Sequence, residues 1–431
     1  AKAVTLDTLG AILAGSRLAE NARLAGLMAE RSGPRTATLI GHHRRAEPMF
    51  AALANGTAGV SLEVDEGNRF GGGHPAIHVL PASLAVGEEI GADGGRFIEA
   101  LVAGYEVTSR IGSATRTRPD VHSHGTWGTI GAAVAVARLL DRDEGAIRRV
   151  INLAAAMSPA NSWTPCFAGA TIRNLYPGRA GLQGILADHL LECGYTGLRD
   201  APSDIYGTIL GESFDAESAV EGLSEDGRVQ RDGFEFRIQR NYFKFHACCL
   251  YNHPALDAVH AIVRAERLAP EAVARIAVTS IPFVARMAEA RPANMLAAKF
   301  SVPYAVAAAV VTGKTDVSGF LDSSIEDPRI RDLAKRVEVS ADPEMSMRRS
   351  GYPTARVTVM LNDGRVLTQT TTVVRGDAEN PVSREELIGK FVALAADALG
   401  TDRARQAVDA IERLGELKDL RELTALLTTA K

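Results

Sequence analysis

The sequence predicts a mainly α-helical protein, built as a large all-α domain plus a smaller α+β lid. Three observations support this. Ala-rich, helix-periodic stretches fill the first 200 residues. Runs rich in β-branched residues come only after about residue 241, interleaved with helical stretches. Beyond about residue 384 the chain returns to Ala/Leu-rich helix. At 431 residues more than one core is expected. The predicted division is 1–240 together with 384–431 as a discontinuous helical domain, and 241–383 as the lid.

Val4, Leu6, Leu9, Ile12 and Leu13 open the chain with an approximate helical period. Ala-rich stretches follow at 50–60, 81–87, 96–111, 129–140 and 145–157. Gly131, Ala132, Ala133 and Ala135 are small enough to let helices approach closely, which predicts a compact bundle. In the lid, RIAVTSI (275–281), VEVS (337–340), ARVTVML (355–361) and RVLTQTTTVV (365–374) read as strands. Asn362-Asp363-Gly364 between the last two marks a hairpin. Helices are predicted at 253–266 and 299–312, and Ser383 with Glu386 has capping-box spacing at the start of the returning helix. No internal repeat or low-complexity tract is visible.

The composition narrows the function. Hydrophobic residues make up 46% and charged residues 23%, with a formal charge of −4, so nucleic acid is not an expected partner. No apolar run is long enough for a bilayer span. Four cysteines in so long a chain do not suggest a disulfide framework, and the opening AKAVTLDTLGAILAG lacks the pattern of a cleaved leader. The cytoplasm is therefore the expected compartment.

Residues 63–78, EVDEGNRFGGGHPAIH, carry the strongest chemical signal. Glu63, Asp65 and Glu66 lie within four positions, a flexible Gly71-Gly72-Gly73 follows, and His74 and His78 flank a probable helix start. Carboxylates and imidazoles are the groups that move protons near neutral pH. His74 precedes Pro75, which suits the first helical position, and a purely structural role fits His74 better than His78. The positive helix end would favour a substrate carboxylate and keep a histidine neutral. In HSHGTWGTIG (122–131), Gly125, Gly128 and Gly131 suggest a loop-to-helix junction whose N–H groups face an anion, with His122 and His124 beside it. Metal binding by His74/His78 or His122/His124 is the competing reading. In TIRNLYPGRAG (171–181), Arg173 and Arg179 present forked donors suited to carboxylates, with Tyr176 between them as a further binding candidate. Surface salt bridging is the bland alternative. In NYFKFHACCLYNHPALDA (241–258), Lys244 could neutralise a developing enolate, with His246 close by. Cys248 and Cys249 read more readily as small buried hydrophobes than as nucleophiles. The cysteine spacing does not match an iron–sulfur cluster, and no dinucleotide fingerprint is present. No metal or organic cofactor is expected.

HPAIHVLPASLAVGE (74–88), HGTWGTIGAAVAVARLL (124–140), NLYPGRAGLQGILADHLLECGYTG (174–197), KFHACCLYNHPALDA (244–258) and KFSVPYAVAAAVVTGK (299–314) together resemble the MmgE/PrpD family. The blocks occur in the family's order and span most of the chain. The resemblance implies the two-domain layout above, a site in the cleft between domains, a homodimer, and cofactor-independent chemistry on a small polycarboxylate. It also implies site roles for His78, His122 and Lys244, and places Glu63 and Asp65 in the family's acidic stretch. The activity expected is that of a lyase, a dehydratase of a 2-hydroxy polycarboxylate similar to 2-methylcitrate. Epimerisation or decarboxylation of a related acid is the alternative, and a non-catalytic binding protein the third reading. Under the first, His78 and His122 form the proton-transfer pair. Asp65 or Glu63 orients a histidine or acts as base, Arg173 and Lys244 hold carboxylates, and Arg179, Tyr176, His74, His124, His246 and Cys249 line the substrate.

Three departures from the family pattern stand out. Arg173 replaces the lysine of cis-aconitate decarboxylases, Cys249 replaces a histidine, and the loop at 67–73 is longer and lacks a threonine.

Overall fold

The computed structural model describes residues 1–223, 234–345 and 354–429. It is mainly helical with a smaller α+β portion. Lys2–Ser16, Pro48–Val60, Pro75–Ile90, Gly94–Ala114, Gly128–Leu139 and Leu175–Glu192 are among the long helices of the first half. Their contact faces are built from small side chains, and Gly131, Ala132, Ala133 and Ala135 are all buried.

The returning chain completes this bundle. Arg384–Leu399 starts with the expected capping box, Ser383 Oγ accepting from the Glu386 N–H and Glu386 Oε2 accepting from the Ser383 N–H. Phe391, Leu399, Ile411 and Leu420 share one core with Leu6, Leu9, Ile12 and Leu13. Lys390 ties this helix to the first one and to the acidic segment, donating to Asp7 Oδ1 at 2.6 Å and to the Val64 carbonyl at 2.7 Å.

A four-stranded sheet forms the heart of the α+β portion. In spatial order its strands are Val337–Ala341, Val273–Ser280, Ala355–Leu361 and Val366–Thr371. The first pair is parallel and the other two pairs antiparallel. The Asn362-Asp363-Gly364 turn closes the hairpin as expected, with Met360 opposite Val366. Helices His253–Glu266 and Val302–Thr312 share the core of this sheet.

The first half is not purely helical. Ala37–Leu39 pairs with Arg44–Ala46, and Thr115–Thr117 pairs with Gly211–Phe214. Strands this short show no usable alternation, so periodicity misses them. No helix among the described residues is long and apolar enough to cross a membrane.

Further links join the acidic segment to the chain after residue 240. Gly67 and Tyr242 exchange backbone hydrogen bonds at 2.8 and 3.1 Å, and Arg69 reaches Glu379 at 2.7 Å. These contacts bring residues 63–74 and 242–250 together at one place.

Candidate active site

A cavity of about 340 Å³ opens where these segments meet the 118–127 loop and the Arg173 turn. Six of the residues proposed from sequence line it: Glu63, His74, His122, His124, Arg173 and Cys249. Asp65 and Lys244 lie directly behind this lining, fully buried.

The floor is a network of paired charges. Glu63 Oε1 meets the Arg173 guanidinium at 2.5 Å, and Oε2 accepts from Lys244 Nζ at 2.9 Å. Burial alone would raise the Glu63 pKa, but Arg173 and Lys244 together hold it well below the usual carboxylate range. Burial likewise works against charge on Lys244, and Glu63 and Asp65 overcome it, so its pKa rises. Glu63 takes up a left-handed φ of 55°, a conformation a non-glycine residue holds only where its surroundings enforce it.

His74 is the residue before helix Pro75–Ile90, as expected, with Pro75 in the first turn. Its Nδ1 lies 2.8 Å from Asp65 Oδ2. Burial would raise the Asp65 pKa, but the contact with His74 and the Lys244 ammonium lower it. Asp65 therefore accepts, Nδ1 carries the proton, and Nε2 is the nitrogen left for chemistry. Tyr242 Oη is 3.5 Å from that Nε2.

His122 follows a different logic. Its Nδ1 accepts the His124 backbone N–H at 3.0 Å, so in the neutral ring Nε2 carries the hydrogen. That Nε2 is buried with no hydrogen-bond partner among the described residues. Burial, reinforced by Arg173, pushes the His122 pKa well down. The ring stacks on Trp163 with centroids 3.9 Å apart. His122 is thus a neutral N–H donor. His124 is similarly held neutral, by burial first and then by neighbouring cations such as Arg173, and its Nδ1 has no partner among the described residues.

His78 corrects the expectation. Its Nδ1 donates to the His74 carbonyl at 2.7 Å, and its Nε2 accepts the Gly125 N–H at 2.8 Å. Both nitrogens are spent on backbone, the ring is outside the cavity lining, and burial lowers its pKa to about 4. It braces the turn that carries His122 and His124. Gly125 makes that turn with φ +80°, and a Cβ on Gly128 would sit 2.4 Å from the His78 ring. The Gly125 N–H is therefore unavailable to an anion. Of the HPxxH pair, His78 is bonded to backbone at both nitrogens and His74 is the one that lines the cavity.

Three binding candidates are also relocated. Arg179 lies outside the cavity lining and donates to Asn161 Oδ1. Asn161 in turn donates from Nδ2 to the His124 carbonyl at 2.6 Å and accepts the His122 N–H at 2.8 Å. Arg179 thus supports the histidine loop from behind. Tyr176 stands edge-on to His122 with centroids 5.8 Å apart and its hydroxyl directed to the Ser162 carbonyl. His246 is fully occupied elsewhere, by Thr315 Oγ1 at 2.7 Å and Asp257 Oδ1 at 3.0 Å. Cys249 does reach the cavity, but burial pushes its thiol pKa up, so it is a wall residue rather than a nucleophile.

Sequence reasoning missed the aromatic wall. Trp127, Trp163, Tyr242, Tyr251, Phe283 and Phe300 all line the cavity. Tyr242 could have been singled out, since it lies two residues before Lys244. Tyr251 shares that stretch, Trp127 and Phe300 lie in other blocks quoted above, and Trp163 and Phe283 lie outside all of them. Among the described residues, no group of three or more His, Cys, Asp or Glu side chains is arranged to hold a metal ion.

Comparison with known proteins matches residues 1–211 to the MmgE/PrpD N-terminal domain and residues 246–416 to the MmgE/PrpD C-terminal domain. The chain belongs to the MmgE/PrpD family. The C-terminal match runs through Glu416, although Phe391, Ile411 and Leu414 pack in the core of the N-terminal helices. Similar curated proteins include the cis-aconitate decarboxylase of Aspergillus terreus (strain NIH 2624 / FGSC A1156), 24% identical over 99% of this chain and 91% of the relative. The cis-aconitate decarboxylases of Mus musculus and Homo sapiens are 26% and 27% identical, each over 89% of this chain and 79% and 80% of their own lengths.

Proposed function

We propose that this MmgE/PrpD protein is a cofactor-independent lyase that begins by moving a proton at the carbon beside a substrate carboxylate. The observation that carries this reading is the His74–Asp65 pair at 2.8 Å, opening on the same cavity as the unpartnered Nε2 of His122 and the guanidinium of Arg173. Asp65 fixes the His74 tautomer so that Nε2 can take the proton. The Nε2–H of neutral His122 and the Arg173 cation stabilise the enediolate-type charge, an electrostatic effect worth several kcal/mol in a closed site. Glu63 and Lys244 hold Arg173 and Asp65 in place from below. For a 2-hydroxy polycarboxylate, loss of hydroxide completes a dehydration, with protonated His74 or the Tyr242 hydroxyl as the acid.

Decarboxylation is the second reading. It is favoured by the relatives' names and by the aromatic wall, since a carboxylate held against Trp163, Phe283 and Phe300 is poorly solvated. In that case the same histidine group protonates the carbon after carbon dioxide leaves. Arg173 cannot supply that proton, because a guanidinium does not deprotonate at working pH.

The test is a panel of citrate, methylcitrate, aconitate, tartrate-like acids and iminodisuccinate in deuterated buffer. NMR, alkene absorbance and carbon dioxide release are followed together. Alkene formation from a hydroxy acid is the expected result. Carbon dioxide from cis-aconitate at a useful rate selects the second reading, deuterium exchange without either selects epimerisation, and binding without turnover overturns enzymatic function.

A further inference from the structure

Lys299 is buried with no exposed surface, and nothing in the proposed chemistry uses it. It closes the short helix Met295–Lys299, in a stretch with no other polar site residue. Its Nζ donates to the Leu62 carbonyl at 2.9 Å and to the Ala247 carbonyl at 3.0 Å, and it lies 4.9 Å from the centre of the Phe320 ring. Its own backbone carbonyl accepts the Cys249 N–H at 3.0 Å and Asn252 Nδ2 at 3.0 Å. Burying an ammonium on carbonyl oxygens is costly, and a hydrocarbon side chain would fill the space without that cost.

The two carbonyls are informative. Leu62 directly precedes Glu63, the residue held at φ 55°. Ala247 lies between Lys244, whose ammonium holds Glu63, and Cys249 in the cavity wall. We propose that Lys299 is a positioning residue for the charged floor: one ammonium clamps the two backbone segments that deliver Glu63 on one side and Lys244 and Cys249 on the other. This rests on the reading of that cavity as the active site.

The groups facing Lys299 set the conditions under which the clamp holds. Burial lowers its pKa to about 7. Glu63 and Cys248 support its charge, while Lys244 and Arg173 oppose it. The clamp is therefore fully charged in mildly acidic solution and loses its proton as the pH rises through neutrality.

Hydrogen exchange of the full chain, read by mass spectrometry, tests this without a substrate. Lys299→Met keeps the length and removes the charge, and Lys299→Gln keeps one donor. Tyr304→Phe is the control, because it deletes a buried hydroxyl bonded to the Gly319 carbonyl at 2.8 Å in the same core. The expected result is faster exchange in residues 60–66 and 244–250 for Lys299→Met, a smaller increase for Lys299→Gln, and no change there for Tyr304→Phe. Wild-type exchange in those two segments should also rise between about pH 6 and 8 beyond the intrinsic base-catalysed increase. With any substrate the panel identifies, Lys299→Met should lower kcat by about 10²-fold, the scale of a displaced catalytic group, with KM little changed and the alkaline limb near pH 7 lost. Unchanged exchange in both segments, or an equal change in Tyr304→Phe, overturns the proposal. If neither Lys299 variant folds, the wild-type pH series decides. A panel without turnover removes the proposed function and leaves the exchange result standing.

Discussion

Two histidine groups in this molecule are chemically alike and differently placed. His74, His122 and His124 gather at the cavity, with ring centroids 4.5 and 4.8 Å apart between neighbours. His246, His253 and His260 gather around helix His253–Glu266, with centroids 5.0 and 5.7 Å from His246. In the second group the ring nitrogens of His246 are spent on Thr315 and Asp257, His253 is bonded to the Cys248 carbonyl at 3.2 Å, and His260 shares Thr315 at 3.2 Å. In the first group His122 and His124 each keep a buried nitrogen without a partner. A cluster of histidines does not make a site. An unspent nitrogen at a cavity does, because only such a nitrogen can exchange a proton with something that enters.

The sharpest way to break this contrast is to remove His74. His74→Ala should lower turnover by about 10²–10⁴-fold, the usual contribution of a general acid or base, well beyond the loss of stability, about 1–3 kcal/mol, from leaving the buried Asp65 without that partner. His122→Gln should fall in the lower part of that range. Equal losses from His246→Ala would erase the distinction between the two groups.

Glu63→Gln probes the charged floor. It leaves Arg173 buried without its counter-charge and Lys244 with Asp65 alone, at 3.9 Å, which should cost about 3–5 kcal/mol of stability in urea unfolding. The sign of the pH effect follows. The folded pKa of Glu63 lies below its unfolded value, so its contribution is present above about pH 4.3 and is lost as pH falls through the folded value. The variant should be less sensitive to acid than wild type in that window. An unchanged acid profile would mean the network does not stabilise the fold.

His78→Ala separates bracing from catalysis. It leaves the His74 carbonyl and the Gly125 N–H unpaired, at a cost of about 1–3 kcal/mol. Turnover should fall less than in His74→Ala, and the two losses should track the movement of the 122–125 turn. His246→Ala should lower stability by about 1–2 kcal/mol with turnover unchanged.

The smallest expected effect concerns Glu66, the third acid of the segment. It accepts the Ala76 N–H at 2.9 Å and lies 2.9 Å from Tyr105 Oη, and burial raises its pKa to about 8. It is protonated when folded at neutral pH. Its contribution is full below about pH 4.3 and is lost as pH rises through about 8. Glu66→Gln should therefore flatten the alkaline decline of the thermal midpoint.

Much of this was legible in the chain itself. The helix start at His74-Pro75, the hairpin at Asn362-Asp363-Gly364 and the capping box at Ser383 are local events, decided by a few neighbouring residues and their backbone preferences. The segments that carry Glu63, His74, His122, Arg173 and Cys249 were also legible, because titratable and forked side chains stand out as types. What stayed hidden was which atoms of those side chains remain free. His78 and His74 are four residues apart on one motif, and only the approach of Gly125 spends the last nitrogen of His78. Arg173 and Arg179 are six residues apart in one stretch, and only the placement of Asn161 draws Arg179 away from the cavity. The aromatic wall is assembled from residues as distant as Trp127 and Phe300, with no signal in any one stretch. Composition and local pattern determined the helices, the hairpin and the kinds of chemistry available. The tertiary structure decided which groups face the cavity, because hydrogen-bond saturation and burial depend on partners that the linear order keeps far apart.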